Sequence, residues 1–235
     1  SNVLIRDKGF RGIVIKLGKN FNKIILKNNK LIVGAAVLDN SLSKFALKNS
    51  IKNFEFYSGI PGTIGGAIKM NAGCYGSETR NIVHGVFVIN RLGEEKFLKL
   101  SDLNFKYRFS SIQKDLIVKE VIFNAIIGDL SKIKSKMEKI VNKRRFDQPL
   151  KVKTGGSTFK NPEGSFAAKL IEESGCKGMK IGGAIVSSKH ANFLINDNKA
   201  SANDIEILGE KIKEKVFNKF GISLDWEIKI IGKRP

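Results

Sequence analysis

Ser-Gly-Ile-Pro-Gly-Thr-Ile-Gly-Gly-Ala-Ile-Lys-Met-Asn-Ala-Gly-Cys-Tyr-Gly occupies residues 58–76, and the rest of the chain is organised around it. Gly59, Gly62, Gly65, Gly66, Gly73 and Gly76 crowd this run, which holds one lysine, Lys69, in a chain otherwise dense in lysine. A segment with so few bulky side chains presents its own backbone: amides become donors and no Cβ blocks a ligand's approach. A flexible linker would share the glycines. It would not carry Ile60, Ile64, Ile68 and Met70, whose apolar side chains suit an ordered element. Pro61 ahead of Thr63, Ile64, Ala67 and Ile68 fits a short helix opening with proline. The run therefore reads as an ordered, ligand-facing loop and turn. Its glycines match neither the phosphate loop of nucleoside triphosphatases nor the dinucleotide fingerprint that follows a strand.

Working outward, residues 3–5, 12–17, 23–27 and 30–35 read as short strands separated by glycine or asparagine turns, Asn28-Asn29 among them. Asp39-Asn40-Ser41 offers a cap for a helix through Leu42, Phe45, Ala46 and Leu47. Beyond the glycine run, residues 82–89 form a strand turned by Asn90–Gly93 into a hairpin, and 116–126 a long apolar strand. Asp129 and Ser131 cap a helix to about Phe146, with Ile133, Met137 and Ile140 on one face and Asp147-Gln148-Pro149 ending it. Then come a helix over 166–174, strands over 181–186 and 188–196, a helix capped by Asn203 that runs to Phe220, and a closing strand over 224–231. Strand runs followed by helices, without regular alternation, indicate an α+β class. The predicted domains are 1–128 and 147–235, with 129–146 as a connecting helix. The chain enters a strand directly at Ser1-Asn2-Val3, so its N-terminus is expected to be incomplete.

The chain has 235 residues and a net charge of +20, which raises nucleic acid as a partner. The distribution argues otherwise. Lysines are scattered over nearly every element, and the aromatics are mostly phenylalanines at apolar positions rather than stacking platforms between arginines. No specific nucleic-acid partner and no membrane partner are expected. No apolar run approaches the length of a bilayer span. Two cysteines, Cys74 and Cys176, and two histidines, His84 and His190, provide no metal-ligand spacing, so no metal is expected.

Taken singly, the polar candidates are ambiguous. Ser157, after Gly155-Gly156, is either an exposed hydroxyl beside Lys160 and Asn161 or a turn residue. Tyr107-Arg108 could be an ordinary surface pair. Glu227 lies in a strand of alternating apolar residues, where a solvated carboxylate is the default, and His190 reads as structural.

Taken together and in order, the pieces resemble the UDP-N-acetylenolpyruvoylglucosamine reductase family. The match rests on Ser1-Asn2-Val3-Leu4, the run at 58–76, Tyr107-Arg108-Phe109-Ser110 and Gly156-Ser157-Thr158-Phe159-Lys160-Asn161-Pro162. Gly182 to Ser187, Lys189-His190-Ala191-Asn192-Phe193 and the closing Trp226-Glu227 support it. The short second domain is similar to the branch that lacks an extra tyrosine loop.

The resemblance implies an FAD-binding α+β module of the vanillyl-alcohol-oxidase (PCMH) type, followed by a smaller α+β substrate domain. It implies reduction of UDP-N-acetylglucosamine enolpyruvate to UDP-N-acetylmuramate with NADPH as co-substrate, by a monomer in the bacterial cytoplasm. It assigns Arg108, Ser157 and Glu227 to catalysis and Tyr107, Lys160 and Asn161 to substrate. Ser1, Asn2, Gly59, Pro61, Gly62, Thr63, Gly65, Gly66, Asn71, Ala72 and Gly73 go to the cofactor. In the family Ser1-Asn2 ends a glycine loop at the flavin pyrophosphate, and the part before it is expected to be missing from this chain. Two other readings stand beside this one: a different FAD-dependent oxidoreductase on the same module, and a basic nucleic-acid-binding protein.

Overall fold

The computed structural model describes residues 2–233, and the chain divides into two compact units. A middle unit comprises residues 15–144; a terminal unit combines the residues up to 14 with those from 145 onward. The first strand, β1 (Val3–Ile5), belongs to the terminal unit.

In the middle unit β2 (Ile24–Lys27) and β3 (Lys30–Gly34) form a hairpin. Its turn residues Asn28 and Asn29 both take positive φ, 49° and 56°. A two-residue hairpin turn needs that conformation at both positions, and asparagine tolerates it better than most side chains. Then follow α1 (Asp39–Lys48), α2 (Ile64–Met70), and the two-residue strands β4 (Gly73–Cys74) and β5 (Ser77–Glu78). After them come β6 (Val83–Ile89), β7 (Glu95–Lys99), β8 (Ile117–Asn124) and α3 (Leu130–Asp147).

The main sheet is antiparallel in the order β2-β3-β8-β6-β7. Alternate residues of its strands build the core. Leu31 lies opposite Phe123, while Val33 and Val86 both lie opposite Val121, and all five are fully buried. Leu42 of α1 and Ile64 and Ile68 of α2 close over them, and the Phe54 ring meets Phe123 edge-on at 5.5 Å. α3 begins as expected: Asp129 Oδ1 accepts from the Ser131 and Lys132 amides at 2.8 and 3.1 Å, satisfying donors the helix itself cannot.

The expected strand over 12–17 does not form. Ile13, Val14 and Ile15 are exposed, and among the described residues no strand lies alongside to take their backbone hydrogen bonds. Apolar β-branched residues favour extended backbone, but a strand exists only where a neighbour pairs with it.

The terminal unit contains β9 (Lys153–Ser157), α4 (Ala167–Glu173), β10 (Lys180–Ile181), β11 (Ala184–Val186), β12 (Phe193–Asn196), α5 (Ala202–Phe220) and β13 (Lys229–Ile231). Its antiparallel sheet runs β10-β11-β12-β9, and β1 pairs in parallel with β13. Long-range pairing draws the first segment into this unit. Arg6 forks onto the buried Glu206 carboxylate with both contacts at 2.8 Å. Asp7 accepts from the first amides of α5, Ala202 and Asn203, at 2.8 and 3.1 Å.

The cap of α5 is Ser201 rather than the expected Asn203. Ser201 Oγ accepts from the Asp204 amide at 3.0 Å, and Asp204 Oδ2 returns the contact to the Ser201 amide at 3.0 Å. Leu208, Ile212 and Val216, one turn apart, are fully buried on one face.

Gly209 shares that helix and leaves the hole into which Trp226 inserts. A Cβ on Gly209 would lie 2.1 Å from the Trp226 ring. Trp226 also stacks at 5.0 Å on Phe159 and donates to Glu210 at 2.8 Å, so it cannot retreat freely. Gly209→Ala is expected to destabilise the protein by about 1–3 kcal/mol in urea unfolding, because overpacking outweighs the better helix propensity of alanine. A gain of about 1 kcal/mol, the propensity effect alone, would contradict this.

Candidate active site

In the middle unit the glycine run is ordered, as its apolar anchors suggested. A 3₁₀ turn over Glu55–Gly59 leads to Thr63, which bridges to Leu38 and sits before the first residue of α2. Ile64 and Ile68 plug the core, whereas Pro61 lies three residues ahead of α2 instead of opening it.

Five of the glycines do different things. A Cβ on Gly59 would lie 2.9 Å from both Arg144 Cδ and Ile140 Cγ2; on Gly65, 3.0 Å from Ala35; on Gly73, 2.6 Å from Glu78 Cβ. These three permit close internal packing. Gly76 turns the β4–β5 hairpin with φ 78°. Gly66 is exposed, and a Cβ there would meet only Thr63 Oγ1, at 3.7 Å, so its side of α2 is open to a ligand.

Tyr107 and Arg108 form the corner of a tight hairpin. Lys106 and Phe109 exchange both backbone hydrogen bonds at 3.1 Å, and Arg108 sits at φ 53°. The guanidinium lies 4.9 Å from the Tyr107 ring centroid and donates to the Gly73 carbonyl at 3.3 Å. This corner is stitched to the end of α2. Lys69 Nζ donates to the Ile112 and Gln113 carbonyls, and Ser110 Oγ donates to the Lys69 carbonyl at 3.0 Å. The run's one lysine is thus a tether, a role its surroundings in sequence gave no signal for.

Asn71, expected at the cofactor, is fully buried at φ 43°, and its side chain is taken up inside the protein. Nδ2 donates to Glu78 Oε2 at 2.9 Å and to the Lys106 carbonyl at 3.0 Å, while Oδ1 accepts from the Arg80 amide at 3.0 Å. The Ala72 carbonyl is also used internally, by the Thr79 amide and hydroxyl at 2.9 and 2.8 Å.

Cys74 lies within the same run. Burial pushes its thiol up to about 11, against the lowering influence of Arg144 and Arg108, so it is a neutral thiol at neutral pH rather than a nucleophile. Arg144 is half-buried, which lowers its pKa, and among the described residues no carboxylate pairs with it.

In the terminal unit the other candidates converge. Ser157 ends β9 opposite Phe193, and both Ser157 and Glu227 are half-buried. The Glu227 amide donates to the Thr158 carbonyl at 2.8 Å, and Phe159 bridges Trp226. The Lys160 amide donates to the Asp225 carbonyl at 2.9 Å. The segments carrying Ser157 and Glu227, 70 positions apart in sequence, are therefore adjacent. Asn2 joins them: its Nδ2 donates to the Glu227 carbonyl at 3.1 Å and its carbonyl accepts from the Lys229 amide at 2.9 Å. Ser1 lies outside the described residues.

Asn161 Oδ1 accepts from the first amide of α4, Ala167, at 3.0 Å. On the other side of the Ser157 loop, the buried Asn192 mimics a strand: Nδ2 donates to the Phe159 carbonyl at 2.8 Å and Oδ1 accepts from its amide at 2.9 Å. His190 Nδ1 accepts from the Asn192 amide at 3.3 Å, and burial lowers its pKa, in keeping with a structural part.

Residues 148–231 match the family model for the C-terminal domain of UDP-N-acetylenolpyruvoylglucosamine reductase, and residues 1–98 match an FAD binding domain. The chain is 48% identical to the UDP-N-acetylenolpyruvoylglucosamine reductase of Rickettsia typhi over 233 residues, 99% of this chain and 79% of that protein. The chain belongs to the UDP-N-acetylenolpyruvoylglucosamine reductase family. The Rickettsia prowazekii reductase is likewise 48% identical, with the same coverage. The crystal structure of the Thermus caldophilus reductase superimposes with a TM-score of 0.88 at 32% identity, covering 97% of this chain and 82% of that one. The protein is thus an FAD-dependent oxidoreductase, built from an FAD-binding domain and the C-terminal domain of this reductase family.

The residues fit the cofactor that the family implies. The run at 58–76 contains no aspartate or glutamate, offers the open side of Gly66, and leads into α2 without a side-chain cap on its first amides. With backbone amides exposed and no acidic side chain to repel it, that surface suits a flat, diphosphate-bearing group. Among the described residues no His, Cys, Asp or Glu cluster suits a metal, and no helix is long and apolar enough to cross a membrane.

Proposed function

We propose that the protein reduces UDP-N-acetylglucosamine enolpyruvate to UDP-N-acetylmuramate, with NADPH as reductant, in peptidoglycan synthesis. FAD, held by residues of the run at 58–76, would supply the hydride-transfer chemistry that links NADPH to the enolpyruvyl group. The chain's own residues manage charge and protons. Reduction of an enol ether conjugated with a carboxylate drives negative charge toward that carboxylate. A positioned guanidinium stabilises such charge best away from bulk water, and Arg108 is assigned that part. Ser157 is assigned as proton donor to C2. A serine hydroxyl is a weak acid, but a carbanionic carbon is a far stronger base, so the transfer needs held geometry more than acidity. Glu227 is assigned as the acidic partner in catalysis, and Tyr107, Lys160 and Asn161 as substrate contacts. Gly66, Thr63 and the adjoining residues of the run would hold the cofactor.

The observation that carries the reading is the adjacency of the Ser157 and Glu227 segments through the Glu227 amide and Thr158 carbonyl, 2.8 Å apart. NADPH oxidation by the FAD-loaded protein, followed at 340 nm with and without the enolpyruvyl nucleotide, tests it. Oxidation is expected to depend on that substrate; equal rates in its presence and absence would sink the proposal.

A further inference from the structure

We propose that Asn71 is a positioning residue that holds Arg108 in place by clamping the base of the hairpin corner on which Arg108 sits. The inference rests on the assignment of Arg108 made above. Its warrant is the way Asn71 spends its side chain. One amide hydrogen reaches the Lys106 carbonyl at 3.0 Å, the same carbonyl that accepts from Phe109 to close the corner. The other goes to Glu78 Oε2 at 2.9 Å, and Oδ1 accepts from the Arg80 amide at 3.0 Å.

The corner needs such support. Arg108 is a long, non-glycine residue at φ 53°, a conformation that persists only where the surroundings enforce it. Buried away from solvent, each Asn71 bond is lost without replacement by water when the side chain is removed. Asn71 is itself in the left-handed region, where asparagine or glycine is favoured, so the clamp can be deleted as Asn71→Gly without adding backbone strain.

The test separates the two half-reactions by stopped-flow absorbance of FAD-loaded protein, with calorimetric affinity for the enolpyruvyl nucleotide as a second readout. Asn71→Gly is expected to slow flavin reoxidation by substrate about tenfold, and more than it slows flavin reduction by NADPH, within the hundredfold that a displacement on the order of 1 Å can cost. The double variant Asn71→Gly/Arg108→Ala should be no slower and bind no more weakly than Arg108→Ala alone, since a residue that acts through Arg108 has nothing left to position. A full rate in Asn71→Gly, or losses that multiply in the double variant, would overturn the inference while leaving Arg108 in its role. A full rate in Arg108→Ala would instead overturn the Arg108 assignment, and the inference with it.

Asn71→Asp supplies an independent measurement should the glycine variant not fold. It keeps the acceptor for the Arg80 amide but sets a second carboxyl against Glu78, which pairs on its other oxygen with the Arg80 guanidinium; with one cation for two carboxyls, one of the two holds a proton to higher pH than usual. The protonated form can donate again. The deficit relative to wild type should therefore shrink as pH falls, and a pH-independent deficit would count against the clamp.

Discussion

Ser157→Ala is expected to leave flavin reduction by NADPH intact while turnover of the enolpyruvyl nucleotide falls by about 10²–10⁴-fold, the usual contribution of a positioned general acid. The surrounding structure explains why no neighbour should compensate. Thr158, the next hydroxyl along the chain, is fully buried and its Oγ1 accepts from the Leu194 amide at 3.3 Å. It faces the core because successive side chains of an extended segment point to opposite sides. Gly156, at φ 86° with nothing within 4 Å of a Cβ position, keeps space open before the serine. The loop itself is held from both sides, by Asn192 on Phe159 and by the Glu227 amide on Thr158. Removing one oxygen should thus delete the acid without moving its support. Rapid-quench product analysis and stopped-flow spectra check the result, and turnover within a factor of two or so of wild type would remove Ser157 from the mechanism.

A second large effect is expected from a residue with no assigned part in the chemistry. Asp39 begins α1, where the helix dipole favours a negative charge, yet it is only 1% exposed and its Oδ1 has no hydrogen-bond partner. Burial wins, and its pKa is pushed up to about 7. In the unfolded chain an aspartate titrates near 4. The folded state therefore holds the proton more tightly, and stability present below about pH 4 is lost progressively as pH rises toward 7. Above that the ionised, unpartnered carboxylate costs on the order of 4 kcal/mol.

Asp39→Asn should recover part of this, on the order of 2–3 kcal/mol at pH 8, since the new amide is also incompletely paired. It should recover almost nothing at pH 4. Urea unfolding of both proteins at the two pH values measures the difference, and an equal ΔΔG at both would refute the account. The start of α1 also borders the glycine run: the Asp39 amide donates to the Gly62 carbonyl at 3.2 Å, and Leu38 bridges Thr63.

The sequence by itself determined the periodic and short-range parts of this protein. The stripe of Ile133, Met137 and Ile140, the Asp129 cap and the Asn28-Asn29 turn were legible because each depends on neighbours within a few residues. So was the ordered character of the glycine run, declared by Ile64 and Ile68 at one-turn spacing. The ordered blocks from Tyr107-Arg108 to Trp226-Glu227 also carried the family, although Ser157 and Glu227 taken alone read as a turn serine and a solvated carboxylate.

Tertiary structure decided whatever depends on partners far along the chain. Residues 12–17 have the composition of a strand and no strand beside them; β1 finds its partner in β13, more than 220 residues away. The glycine run could not say which of its glycines serve packing and which face outward, because Ala35, Arg144 and Glu78 supply the close contacts. Nor could Asn71 reveal that its amide is spent on Lys106 and Glu78. A buried polar side chain takes its meaning from the groups that satisfy it, and long-range folding alone brings those groups together.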